Sequence, residues 1–368
     1  MRILFSVLKN ISRGGGIEKY TLEIGSRLAA RGHEVIVFSM GQYGDVKPEV
    51  AGMKIVRVPC MKGKQFEKMS AGFTAAVKSL GYSPKDTVIH FHATGPGLYA
   101  ILPRLRGFKT VMQMHGIEWQ RSRWNNSTCR LLKAIEKGAM WQSHVVTAVS
   151  RTQCDYLQKE YGLQARYIPT GATVKEHTPA QLILEWGLQP RQYVLFASRL
   201  VREKGAHYLI PAFKKLQSSG MKLVIAGDAV GEEAYKAELR QMAGGDDRIL
   251  FPGFVEGQAL DELFSNAALY VQPSELEGLS IALLEAMSYG LCCLVSDIPE
   301  NREAIGDCGY TFHNTDIGDL ATQMEKLLAK PEDTVTVAQQ AVERIRREYS
   351  WDGIALQFEQ LYQELLNR

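Results

Sequence analysis

The chain has 368 residues, 45% of them hydrophobic and 23% charged, with a net charge of +3. That balance excludes a disordered chain, and at roughly 150 residues per domain the length predicts two domains with separate cores. No run approaches the ~18 uninterrupted apolar residues of a membrane-spanning helix.

The first apolar run, Ile3–Leu8, is too short for a signal peptide, has no small-residue cleavage site after it, and reads as a buried strand. Glu18–Arg31 follows, with Leu22, Ile24, Leu28 and Ala29 on one face, and predicts a helix that Gly32 ends. Glu34–Ser39 is the next strand, and strand-like runs recur at Ile55–Val58, Val88–Phe91, Thr110–Met114 and Val145–Val149. Helices are expected at Ser127–Met140 and Thr152–Tyr161. This alternation predicts a parallel sheet covered on both faces.

After Ile168–Ala172 and a polar stretch to about Pro190, the rhythm restarts. Strands are expected at Tyr193–Ala197, Leu223–Ala226, Ile249–Phe251, Leu269–Gln272 and Cys292–Ser296, with helices at Tyr208–Leu216, Ala234–Met242, Ala259–Phe264 and Ile281–Ser288 between them. The join is expected in that polar stretch, giving domains over 1–175 and 176–350 and a last segment over 351–368. The fold class is α/β, two Rossmann-like doubly wound sheets with ligand sites at the carboxyl ends of the strands, facing each other across a cleft.

Charge divides unevenly between the halves. Residues 1–175 carry 26 Lys and Arg against 11 Asp and Glu, while 176–368 carry 17 against 29. A basic first half suits an anionic membrane surface or a phosphate-bearing substrate, or is simply solvated surface. No zinc-finger or basic-zipper pattern points to nucleic acid. The six cysteines form no C-x-x-C pair and read as free thiols of a reducing cytoplasm.

Four segments carry chemistry. Pro273–Met287 follows a strand and opens a helix, and its Gly278 lets a ligand approach the backbone. Free N–H groups near Leu279, Ser280 and Ile281 suit an anion at a helix start. Glu277 before that helix and Glu285 about two turns inside it are placed to grip hydroxyl pairs, although an exposed glutamate on a capped helix fits the spacing equally. In Ala197–Gly205, Arg199 and Lys204 sit in the turn after a strand, either as a diphosphate clamp or as solvated cations. Ser12–Glu18 places Gly14, Gly15 and Gly16 in the first strand-to-helix turn, either for a phosphate or sugar to approach or as a floppy loop, and it is not G-x-G-x-x-G. Met114–Trp124 puts His115 at a strand end, with Glu118, Trp119, Arg121, Arg123 and Trp124 close behind. The two indoles suit sugar rings.

These segments resemble the GT-B glycosyltransferases of family 4 over nearly the whole chain. Glu277 and Glu285 match the family's E-x7-E pair, Arg199 and Lys204 its basic turn, the Gly14–Gly16 run with Glu18 its glycine loop, and His115 its strand-end histidine. Trp351–Leu366 resembles its C-terminal helix, which crosses back to the N-terminal domain. The run His115–Trp119 with Arg121 and Trp124 is similar to a bacterial subgroup that includes rhamnosyltransferases. Leu279-Ser280 departs from the family's frequent aromatic-Gly.

The resemblance implies a retaining, metal-independent enzyme with no cofactor, its donor a nucleotide diphosphate sugar. Arg199 and Lys204 would neutralise the diphosphate, Glu285 hold the ribose, and Glu277 and His115 the sugar. Gly15, Gly16, Gly278, Leu279 and Ser280 would line the donor, and Glu118, Trp119 and Arg123 the acceptor. That acceptor is expected to be a glycan or polyprenyl-diphosphate-linked sugar of bacterial surface polysaccharide, reached in the cytoplasm from a peripheral position on the inner membrane face. The alternatives are a GT-B nucleotide-sugar 2-epimerase, which would need further acid and base groups around the sugar, and a non-catalytic nucleotide-sugar-binding module, which would have lost part of the Arg199, Lys204, Glu277 and Glu285 set.

Overall fold

The computed structural model describes residues 1–11, 15–44, 47–61, 63, 67–120, 124–216 and 220–368. The chain divides into two compact units, Met1–Gly171 with Trp351–Arg368, and Ala172–Ser350.

The N-terminal unit is built on β1 (Arg2–Leu8), β2 (Glu34–Met40), β3 (Glu49–Val50), β4 (Met53–Val58), β5 (Thr87–Phe91), β6 (Lys109–Met114), β7 (Val145–Ala148) and β8 (Arg166–Tyr167). They form one sheet in the order β3-β4-β2-β1-β5-β6-β7-β8. Pairing is parallel throughout except between β3 and β4. The inner strands are buried along nearly their whole length because helices cover both faces; Ile3, Leu4 and Phe5 of β1 are fully buried. The order reverses between β1 and β5, so the turns after these two strands splay apart and leave a crevice.

The helix Trp351–Leu366 packs in this unit by burying Trp351, Phe358 and Tyr362. Ion pairs seat it, Arg27 Nε to Asp352 and Arg31 to Glu359, each at 2.7 Å, and His33 Nε2 stands 2.7 Å from the same Glu359 carboxylate.

The C-terminal unit comprises β9 (Tyr193–Ala197), β10 (Lys222–Ala226), β11 (Ile249–Gly253), β12 (Leu269–Gln272), β13 (Cys293–Ser296) and β14 (Tyr310–Phe312). These pair in parallel in the order β11-β10-β9-β12-β13-β14, with the reversal between β9 and β12. Both units are therefore the doubly wound parallel sheets that the alternation of elements predicts.

The polar stretch after Ala172 is fastened to the C-terminal unit. Thr178 N donates to Ser265 Oγ at 3.0 Å, and Gln181 N and Ile183 N to Glu262 Oε2 at 2.8 and 3.2 Å. Glu262 is fully buried. Burial opposes its charge, but the Gln181 N–H, the Gln258 amide and the Ile183 N–H hold its carboxyl below the usual carboxylate range.

Candidate active site

In the C-terminal unit two turns meet because their strands are neighbours. The turn after β9 runs through Arg199 to the short 3-10 turn Arg202–Lys204 and the helix Ala206–Lys214. The turn after β12 runs from Pro273 to the helix Ile281–Ser288. Gly205 joins them: its φ is +74°, and a Cβ there would stand 1.8 Å from the Pro273 carbonyl oxygen. No other residue fits that approach. Glu275 N donates to Glu203 O at 2.9 Å and adds a second stitch.

The outcome is an ion pair that spans 73 residues of sequence: Lys204 Nζ donates to Glu277 Oε1 at 2.5 Å. Both side chains are nearly enclosed, 12% and 5% exposed. Arg199, on the same turn as Lys204, is exposed. The helix opens at Ile281, so Glu285 lies just over one turn inside it, half-buried, rather than two turns in.

Ser280 caps this helix by accepting from Leu283 N at 3.3 Å, and donates its own hydrogen to Gln272 Oε1 at 2.7 Å. Gly in its place would make neither bond. Beneath the turn, Gln272 Nε2 donates to Asn301 Oδ1 at 2.8 Å, Asn301 Nδ2 to Ser296 Oγ at 2.9 Å, and Ser296 Oγ to Ser274 O at 2.5 Å. This buried polar web fixes the turn carrying Glu277. Sequence reasoning missed Gln272 and Asn301; a buried-type strand ending in Gln was the available signal. Leu279 is buried and Gly278 half-buried. The N–H groups of Leu279, Ser280 and Ile281 donate to no other described residue.

In the N-terminal unit the corresponding turns bring together a glycine, a carboxylate and a group of histidine rings. Gly15 is the N-cap of the helix Gly16–Ala30, and the Glu18 carboxylate folds back over it: a Cβ on Gly15 would lie 2.2 Å from Glu18 Oε2. Gly16 is exposed; Gly14, Arg121 and Arg123 lie outside the described residues. His115, directly after β6, is half-buried with its ring edge-on to Tyr20 at 4.7 Å. Its Nε2 is 3.1 Å from His92 Nδ1, and His92 Nε2 is 3.1 Å from Thr21 Oγ1. Burial pushes the His115 imidazolium down to about 3 and also drives His92 and His90 well below the ordinary histidine value. His115 is thus neutral at physiological pH. The pattern His90-Phe91-His92 was the missed signal, since a spacing of two in extended chain puts the ring of His90 in β5 and that of His92 just past it on one side, 4.5 Å apart.

Residues 14–176 match the family described as Glycosyltransferase Family 4, and residues 185–344 that described as Glycosyl transferases group 1. The chain is a GT-B glycosyltransferase.

Two relatives of this glycosyltransferase match it over most of their own length. It is 25% identical over 301 residues to alpha-D-kanosaminyltransferase of Streptomyces kanamyceticus, covering 75% of this chain and 77% of that one. It is 26% identical over 370 residues to N-acetyl-alpha-D-glucosaminyl L-malate synthase of Bacillus anthracis, covering 96% and 94%. Among solved structures, sucrose-phosphate synthase from Thermosynechococcus elongatus superposes with a TM-score of 0.84 at 23% identity, covering 100% and 99%. Anabaena HepE in complex with UDP-glucose gives 0.82 at 20% identity, covering 99% and 100%.

The glycosyltransferase secures the loop after His115 through Trp119. The indole N–H donates to Tyr156 Oη at 3.0 Å, and the Tyr156 and Tyr161 hydroxyls donate to the buried Glu136 carboxylate at 2.6 and 2.8 Å. Lys133 stands 5.1 Å from the Trp119 ring centre. The polar edge of Trp119 is therefore engaged within its own unit. Glu118, half-buried, opens the 3-10 turn Glu118–Gln120.

Proposed function

We propose that the enzyme transfers a hexose or rhamnose unit, with retention of configuration, from a nucleotide diphosphate sugar to a hydroxyl of a glycan or polyprenyl-diphosphate-linked acceptor in bacterial surface polysaccharide synthesis. The observation that carries this reading is the Lys204–Glu277 pair at the carboxyl ends of β9 and β12, with Arg199 on the same turn as Lys204. A doubly wound sheet binds its ligand at that reversal.

The C-terminal unit holds the nucleotide sugar in this reading, and the N-terminal unit binds the acceptor. The bond between the anomeric carbon and the diphosphate oxygen breaks, and charge develops on the diphosphate. Arg199, Lys204 and the free N–H groups at Leu279–Ile281 offset that charge without a metal ion or cofactor. The acceptor oxygen attacks from the face the diphosphate leaves, and its proton passes to the departing phosphate oxygen. Glu277 orients the sugar while its own charge is balanced by Lys204. Glu285 takes the ribose hydroxyls, and His115 a hydroxyl of the sugar. Gly15, Gly16, Gly278, Leu279 and Ser280 border the donor, and Glu118, Trp119 and Arg123 the acceptor.

Peripheral binding of the N-terminal unit to the cytoplasmic leaflet completes the proposal. No helix among the described residues is long and apolar enough to cross a membrane. Leu105 and Trp141 are 77% and 61% exposed, and the Arg104 guanidinium ties their helix ends together by donating to Gln142 O at 3.1 Å. Lys137 Nζ stands 5.9 Å from the Trp141 ring centre and Arg106 follows Leu105 in the chain, so a basic group adjoins each apolar side chain.

A panel of nucleotide sugars, assayed for nucleotide release with an acceptor mixture and EDTA present, tests the reaction. UDP-glucose leads the panel because HepE binds it. Release with transfer is expected. An epimerised donor would identify a 2-epimerase, binding without turnover a binding module, and activity restored only by Mg²⁺ or Mn²⁺ would overturn the metal-free site.

A further inference from the structure

The histidine at the end of β6 is wired into the body of its unit, and the bond from Thr21 to the helix backbone selects one of the two assignments of hydrogens along the wiring. Thr21 lies in the second turn of the helix Gly16–Ala30, where its hydroxyl donates back to Ile17 O at 2.8 Å. A hydroxyl has one hydrogen, so with that hydrogen on Ile17 O, Thr21 Oγ1 accepts from His92, 3.1 Å away. His92 Nε2 therefore carries a hydrogen. His92 is 2% exposed, and burial keeps it neutral, so its Nδ1 is bare and accepts. Its partner there is His115 Nε2 at 3.1 Å, which must donate. His115 is neutral as well, which leaves its Nδ1 bare. Among the described residues nothing donates to that nitrogen.

We propose that Thr21 and His92 form a relay that locks His115 as the Nε2–H tautomer, so that His115 offers only a lone pair at Nδ1 and takes a sugar hydroxyl as donor while rejecting an anionic group. This rests on the assignment of His115 to the donor sugar. His92 and Thr21 are positioning residues: they act through His115. The ring cannot swing to another tautomer without breaking both bonds, and Tyr20, fully buried and edge-on to it, holds its plane. The backbone secures the relay too, because His92 N donates to Ser6 O at 3.3 Å and continues the pairing of β5 with β1. The enzyme thereby separates its two kinds of recognition: cations for the diphosphate in one unit, a bare acceptor for a hydroxyl in the other.

Nitrogen NMR of the protein labelled with 15N-histidine reads the tautomer directly, with the His115 signals assigned by their loss in His115→Gln. The wild type is expected to show a protonated Nε2 and an unprotonated Nδ1 from pH 8 down to pH 5. Thr21→Val keeps the shape but removes the acceptor, and is expected to shift His115 toward a mixture of tautomers; Thr21→Ser restores the single form. With any donor the wild type uses, kcat/KM falls about tenfold in Thr21→Val and recovers in Thr21→Ser, the scale seen when a partner that orients a working histidine is removed. A protonated Nδ1 in the wild type, or an unchanged tautomer in Thr21→Val, overturns the relay. If Thr21→Val does not fold, the wild-type spectrum still decides. A wild type that transfers no sugar sinks the assigned activity, while the spectrum still answers for the relay.

Discussion

The two units share one architecture and place their chemistry at the same point of it, yet they solve opposite problems. In the C-terminal unit the turns after β9 and β12 bring a buried cation against a buried carboxylate. In the N-terminal unit the turns after β1, β5 and β6 bring together uncharged rings. The overall charge runs the other way: the half richer in acid holds Arg199 and Lys204, and the half richer in base holds the neutral histidines. The chemistry of each site is therefore set by local burial and pairing rather than by the net charge of its domain.

The largest effects should come from the charged site. Arg199→Ala is expected to lower kcat/KM about 10²-fold, roughly 3 kcal/mol of transition-state stabilisation, with little change in folding because the side chain is exposed. Lys204→Ala should lose activity on the same scale and also lose about 3 kcal/mol of stability, because it strands Glu277 as an unpaired buried charge. Turnover assays alongside urea titrations separate the two. Wild-type turnover in both variants would remove the diphosphate clamp, and an unchanged urea midpoint in Lys204→Ala would show the pair to be energetically idle.

The neutral site predicts a pH effect instead. His90, His92 and His115 have folded-state pKa values below the ordinary 6.5, about 3 for His115. The unfolded chain therefore takes up protons first as pH falls. Stability is complete above about pH 6.5 and declines below it, by about 1.4 kcal/mol per pH unit for each such histidine. In the C-terminal unit, burial and then Arg202 push His207 down to about 4, a single contribution of the same sign. Urea unfolding at pH 7 and pH 5.5 should show the loss, and His90→Phe should shrink it by one histidine's share. A flat profile would mean that these rings are protonated in the folded protein.

Why the charged site was half-legible and the neutral relay hidden follows from how each is assembled. Arg199, Lys204 and Glu277 stand in turns after strands whose apolar runs mark them, and Glu285 in the helix that one of those turns opens, so the candidates could be named. The contact between Lys204 and Glu277 depends on β12 inserting beside β9, which no local pattern encodes. The relay draws Thr21, His92 and His115 from three separate crossovers, and Thr21 carries no signal of its own in an amphipathic helix. Strands buried on both faces were legible to within a residue or two, because full burial demands continuous apolar runs. The three-residue β14 was missed because it is too short to show a period. The helix Glu67–Ser79 was missed because small residues, Ala71, Gly72, Ala75 and Ala76, form its buried face. The Glu332–Glu348 helix buries only Ala338, Ala341 and Ile345, and reads as polar.

The contrast in surface charge gives a weaker, additive effect. Each Lys or Arg held near an anionic bilayer contributes about 1 kcal/mol. Sedimentation with anionic vesicles at low salt is expected, with release as salt rises and no binding to neutral vesicles. Replacing Arg104 and Lys137 together by Gln should weaken the binding by about 2 kcal/mol. Protein that stays in the supernatant with anionic vesicles ends the membrane proposal and leaves the transferase intact.

The smallest effect tests how the charged site is held rather than what it contains. Ser280 accepts from Leu283 N and donates to Gln272, so it both caps the helix that carries Glu285 and ties it to the web under Glu277. Ser280→Ala loses the cap and leaves Gln272 Oε1 with Tyr270 as its remaining hydroxyl partner, at 3.2 Å. A cap of this kind is worth about 1 kcal/mol. The urea midpoint should fall accordingly, and the KM for the donor should rise a few-fold because the first turn of the helix frays where the free N–H groups lie. Ser280→Thr, which keeps the hydroxyl, should recover most of the loss. If Ser280→Ala lowers the midpoint with no change in KM, the cap supports the helix alone, and the free N–H groups of Leu279, Ser280 and Ile281 have no part in holding the diphosphate.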